Sequence, residues 1–173
     1  EYPATEFISS LGVEVGTLEI TDDGTINDIA VKVNVSGNTS NFLRYVSLSL
    51  ISPSRTNVYL VGGDQIKSGG ISDNAGSSFT NTIFSDGGDK SIYSGSSPYI
   101  GSFKPEEELS VFDGESLEGT WTLVLNNTSS DSGTVSWSIL ANADETAPSQ
   151  PISYGIEYKG NQVNSSLGVN VDS

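Results

Sequence analysis

The sequence predicts an all-β protein, a sandwich or jelly roll of short strands. Three observations carry this. Apolar residues recur with a period of two in one run after another. Turn signals, Asp22-Asp23-Gly24, Asp113-Gly114 and Asp131-Ser132-Gly133, separate the runs. No window sustains helical periodicity. Short alternating segments punctuated by Gly, Asp and Ser belong to half-buried strands packed as two layers.

Taken in order, Glu14 to Ile20 forms the first predicted strand. Ile29, Val31, Val33 and Val35 then alternate with Ala30, Lys32 and Asn34, so one face of that strand is apolar. Val46, Leu48 and Leu50 repeat the pattern, and Val58 and Leu60 follow the Ser52-Pro53-Ser54 turn. Phe79 to Phe84 is a further, weaker strand. It is flanked by long Gly-, Ser- and Asp-rich loops within Gly62 to Ser97. Pro105 followed by Glu106, Glu107 and Glu108 suits the opening of one helical turn. Trp121, Leu123 and Leu125 alternate with Thr120, Thr122 and Val124. Val135, Trp137, Ile139 and Ala141 complete the set.

Composition narrows the function. The chain has 173 residues, enough for one domain with a real core, or for a domain and a tail. It carries 22 acidic and 7 basic residues, a net charge of −15. Such a surface repels a phosphate backbone and an anionic membrane, so no nucleic-acid partner is expected. No apolar run is long enough to span a bilayer. Histidine is absent, so Ser-His-Asp and Cys-His triads cannot be built from this chain. With cysteine absent as well, the usual zinc sites are excluded and no disulfide can form. The absence of methionine suggests a mature fragment or an excised piece of a longer chain.

Two stretches, Leu48 to Leu60 and Gly101 to Ile139, carry a family pattern. Ser52-Pro53 and Thr56 fit a Ser-Pro-x-Gly-Thr turn, with Arg55 in the glycine's place. Phe79, Thr80, Asn81, Thr82, Phe84 and Asp86 form a second block. Gly101, Pro105, Leu109, Phe112 and Gly114 form a third, Gly119-Thr120-Trp121 with Leu123 a fourth, and Gly133 with Trp137 a fifth. In this order, from about Glu14 to Ala143, they resemble the P-domain (Homo B domain) of subtilisin-like proprotein convertases, the kexin and furin family, in its bacterial form. The chain departs from the pattern at Gly37, Tyr45 and Asn126, where the family has a histidine and two aspartates. The resemblance implies a galactose-binding-domain-like jelly roll. It also implies a secreted, non-catalytic accessory module whose partner is the protease catalytic domain of the same precursor. That precursor would be a serine endopeptidase, or less commonly a metalloprotease.

Three further expectations follow from the residues. Calcium takes six to eight oxygen ligands, and the acidic, Gly- and Asn-rich loops supply them. The candidates are Asp64, Asp73, Asn74, Asp86 and Asp89, with Glu106 and Asp28 from elsewhere. The carboxylates Glu106, Glu107, Glu108, Asp113, Glu115 and Glu118 read as a solvated acidic loop rather than a glycosidase pair. Trp121 and Trp137 lie on core-facing strand positions, whereas Tyr93 and Tyr99 lie in a Ser- and Gly-rich loop and suit a sugar-stacking platform. A polysaccharide- or substrate-binding module is therefore the alternative to the protease accessory. The chain is expected to be monomeric. Residues 1–143 make the sandwich and 144–151 (DETAPSQP) a linker. Residues 152–173 are either the start of a following module or a hairpin folded against the sandwich.

Overall fold

The fold was obtained as a computed structural model, which describes residues 1–63, 71 and 75–144. The strands are β1 (Tyr2–Pro3), β2 (Phe7–Ser9), β3 (Gly12–Ile20), β4 (Thr25–Gly37), β5 (Val46–Ile51), β6 (Asn57–Val61), β7 (Ser78–Phe84), β8 (Lys90–Ser91), β9 (Gly101–Lys104), β10 (Gly119–Asn127) and β11 (Gly133–Asp144). They build two sheets. One has seven strands in the order β1-β11-β4-β7-β9-β8, with β2 also paired to β11. The other has four, in the order β3-β10-β5-β6. The predicted all-β sandwich is the observed one.

The alternation explains the layers. From β4, Ile29, Val31, Val33 and Val35 face the core, and from β11, Val135, Trp137 and Ile139 do so. The opposite sheet answers with Leu48, Leu50, Val58, Leu60, Trp121, Leu123 and Leu125. Each buried side chain of this size stabilises the fold by about 1.5–3 kcal/mol relative to exposure. Aromatic rings fill the space between the sheets edge to face. Phe112 meets Trp121 at 5.3 Å, Phe79 meets Tyr99 at 5.2 Å, and Phe79 meets Phe84 at 5.8 Å. Trp121 donates its indole N–H to the Leu117 carbonyl at 2.9 Å, so its polar edge is buried at no loss.

Several elements differ from the sequence expectation. The strands β1, β2, β8 and β9 have two to four residues each, too few to show a period. β9 pairs in parallel with both β7 and β8, which turns part of the expected loop region into a sheet edge. No helical turn opens at Pro105. Instead Glu106 and Glu107 run along β6, their N–H groups donating to the carbonyls of Leu60 and Tyr59 at 3.0 Å. The 3-10 turn forms at Leu109–Phe112, where Leu109 and Phe112 are buried. Of the linker assigned to 144–151, Asp144 is the last residue of β11; the rest of it and the tail assigned to 152–173 lie outside the described residues.

Candidate functional site

The acidic candidates of the described chain sit on three different elements. Asp86 follows β7 and points both carboxylate oxygens at the start of the 3-10 turn. They accept the Leu109 N–H at 2.7 Å and the Ser110 N–H at 2.8 Å. This is a capping arrangement: it satisfies backbone donors that the turn itself leaves open. Glu106 is half-buried beside the end of β6. Its Oε2 accepts the Gly63 N–H at 3.0 Å and the Tyr93 hydroxyl, and that hydroxyl in turn accepts the Gly62 N–H at 2.9 Å. Next to it, Glu107 accepts the Tyr59 N–H at 2.6 Å. Asp28 on β4 and Asp89 before β8 are exposed. Asp64, Asp73 and Asn74 lie outside the described residues.

Among the described residues, no three acidic side chains gather into a group able to hold a metal ion. Asp86 and Glu106 already bind donors of the chain, which a cation would have to displace. The described acids thus fit calcium only as outlying contributors, and no coordination geometry follows from them. Of the acidic loop, Glu115 holds the Ser52 hydroxyl at 2.8 Å, and Glu108, Asp113 and Glu118 are exposed as expected.

The proposed tyrosine platform is corrected by the fold. Tyr99 is 2 % exposed, packed against Phe79 and Phe103. Burial pushes its phenol pKa up. Tyr93 packs against the core and commits its hydroxyl to Glu106 and Gly62. Tyr99 offers no free face to a sugar, and Tyr93 is half-buried with its hydroxyl committed. The reason is tertiary: the Ser- and Gly-rich loop that carries them folds in beside β9, burying Ile92 as well. Trp121 and Trp137 are core, at 0 % and 3 % exposure.

Two shallow hollows open on the outer face of the seven-stranded sheet. One, of about 400 Å³, is lined by Glu6, Asn34, Ser36, Ser78, Thr80, Thr134 and Ser136, with Val35 and Phe79 at its floor. The other, of about 380 Å³, lies against Ile8, Gly37, Asn38 and Ser132. At the first, β7 bulges opposite Asn34. Asn81 there takes a left-handed backbone, φ +49°, and donates its N–H to Asn34 Oδ1 at 2.7 Å. Asparagine tolerates that conformation better than other side chains. Asn81 is the sequence signal for this bulge inside the Phe79–Phe84 run.

No family model and no curated protein matches the chain. Among solved structures, it is similar to the serine protease of Aeromonas sobria in complex with the chaperone ORF2. Identity is 14 % over 83 % of this chain and 28 % of that chain, with a TM-score of 0.43. A second structure of the serine protease of Aeromonas sobria gives 15 % identity over 80 % of this chain and 27 % of that one, with a TM-score of 0.40. The chain therefore spans less than a third of the length of these proteins.

Proposed function

We propose that the chain is a non-catalytic P-domain of a secreted, subtilisin-like protease, which packs on the catalytic domain and stabilises it. The turn at Ser52–Thr56 is the observation that supports this most. It closes through Ser52 N–H to Thr56 O and Arg55 N–H to Ser52 O, both at 2.9 Å. Arg55 stands there at φ +74°, in the region that only glycine enters without cost. The resemblance puts glycine at this place, and a left-handed backbone is one that glycine favours, which supports the reading although the side chain departs from it. The turn also docks on another block of the same resemblance. A Cβ on Gly119 would come within 2.8 Å of Pro53, so the Gly-Thr-Trp strand needs glycine to pass beneath the proline.

The mechanism is binding linkage. A module that engages only the folded catalytic domain stabilises it by mass action, and a covalent tether raises the effective concentration. The chain contributes no histidine to such an enzyme, so any proton-shuttling imidazole belongs to the catalytic domain. Sequencing native material across the junction before Glu1 tests this. A protease domain upstream is expected, and a glycan-active or adhesive domain there would overturn the reading.

Two predictions attach to it. Arg55→Gly should raise stability by about 0.5–1 kcal/mol, the left-handed strain relieved less the entropy glycine adds to the unfolded chain. A melt showing no gain would mean that the turn relaxes in solution. Calcium belongs to the proposal through the acidic loops: chelation should lower the melting temperature and added Ca²⁺ restore it. An unchanged melt removes a structural ion from the account.

A further inference from the structure

Most edges of this sandwich are blunted. β6 is covered by Glu106 and Glu107, whose N–H groups bond the Leu60 and Tyr59 carbonyls. β1, β2 and β8 have two or three residues each, too few to template another strand. β3 is different. It pairs with β10 without a break from Gly12↔Asn127 to Ile20↔Gly119, and no strand lies beyond it. Among the described residues, no other segment gives its backbone a hydrogen bond. The nine residues GVEVGTLEI therefore present alternate N–H and C=O groups unpaired, over roughly 30 Å. Lysine, proline or a bulge usually blunts such an edge, and β3 has none of them.

Charge decides what the edge can accept. Residues 1–31 contain acids and no lysine or arginine, the first base being Lys32 on β4. β10, the strand behind β3, carries no charge at all. On β3 itself, Ser10 donates its hydroxyl to Glu14 Oε1 and Thr120 donates its own to Glu19 Oε2, both at 2.7 Å. Each carboxylate keeps its second oxygen for a cation. The two faces of the strand also differ. Val13, Val15, Thr17 and Glu19 are exposed on the outward face, while Glu14, Gly16 and Leu18 alternate with them. An added strand would set its side chains beside both rows. Apolar residues suit Val13 and Val15, and a polar one suits Thr17. Bases suit Glu19 and, on the other face, Glu14.

We propose that the free edge of β3 takes up an extended, basic segment of a second protein by antiparallel strand addition. In the partner's direction, the segment has a base beside Glu19, then a polar residue beside Thr17 and an apolar one beside Val15. A base beside Glu14 and an apolar residue beside Val13 complete it. A second copy of this chain is a poor occupant, because it would oppose two acidic edges on molecules of net charge −15. The edge is present whether or not a protease domain lies upstream.

The probe is a labelled peptide, Lys-Ser-Thr-Ser-Val-Lys-Val, titrated with the full chain at low salt. Its anisotropy should rise to saturation, and bound peptide should slow amide exchange on β3 but not on β6 or β8. Glu19→Lys should weaken binding about fivefold, and glutamate in place of the peptide's first lysine should restore it. Asp89→Lys makes the same change in net charge at an exposed position beside β8, the far edge of the other sheet. It should leave the affinity within about twofold, since a distant exposed charge is screened. A scrambled peptide of the same composition should bind about fivefold more weakly or worse, its side chains falling beside the wrong rows. Equal binding of the scrambled peptide, or equal weakening by Asp89→Lys, would reduce the association to bulk charge and overturn the proposal. No saturable binding would overturn it as well. So would β3 amides already protected without peptide, a result that would assign the edge to the rest of this chain or to a second copy.

Discussion

Trp121→Ala should destabilise the sandwich by about 3–5 kcal/mol, the range for emptying a buried aromatic site. Trp121 is fully buried on β10, the strand that joins β3 to β5. Its ring meets Phe112 at 5.3 Å, and its N–H holds the Leu117 carbonyl. Truncation therefore removes the packing between β10 and the Leu109–Leu117 segment and leaves a carbonyl without its donor. Trp121→Phe separates the two effects. It keeps most of the apolar volume, so a loss of about 1–3 kcal/mol would be the unpaired carbonyl and the residual void. Urea unfolding of both variants measures this, provided the slope with denaturant is unchanged. If Trp121→Ala cost under about 1 kcal/mol, the residue would not be the centre of a packed core.

Trp121 was legible because strand periodicity and burial are the same fact seen twice. On β10, Trp121, Leu123 and Leu125 alternate with threonine and valine, and the buried set follows that rhythm without exception. The same holds for Val31, Val33 and Val35 on β4. What the sequence hid was every contact made by chain without a period. β9 is held by parallel pairing to β7, and β8 by parallel pairing to β9, long-range events with no local signature. Tyr93 and Tyr99 looked exposed because their neighbours are serine and glycine, yet burial is decided by what folds over them. Tyr99 lies beneath Phe79 and Phe103, from two other strands. The acidic candidates show the same limit. Asp86 and Glu106 read as free oxygen ligands, but a turn 23 residues away supplies N–H groups to one, and a tyrosine hydroxyl and a glycine N–H reach the other. Composition names the carboxylates and cannot say which backbone donors reach them first.

Glu106→Ala should cost about 2–3 kcal/mol with chelator present, because the carboxylate serves the fold before any ion. Truncation leaves the Gly63 N–H and the Tyr93 hydroxyl without this acceptor, and bonds to a charged group are each worth about 1.5–3 kcal/mol. The two are not independent, since Tyr93 also accepts from Gly62. Tyr93→Phe should therefore cost less than Glu106→Ala, and the double variant less than the sum. Glu106→Gln keeps an acceptor oxygen and should fall between wild type and alanine. The calcium proposal makes a separable claim on the same residue. If Glu106 is a ligand as well as a tie, the alanine variant loses the calcium-dependent part of the melting temperature in addition to the chelator-independent cost. If the stability loss is the same with and without Ca²⁺, Glu106 only fastens the end of β6 to Tyr93. Any ion would then have to be held by the other acidic loops. The two outcomes differ in which column of the melt moves, so the structural role and the ion role cannot be mistaken for each other.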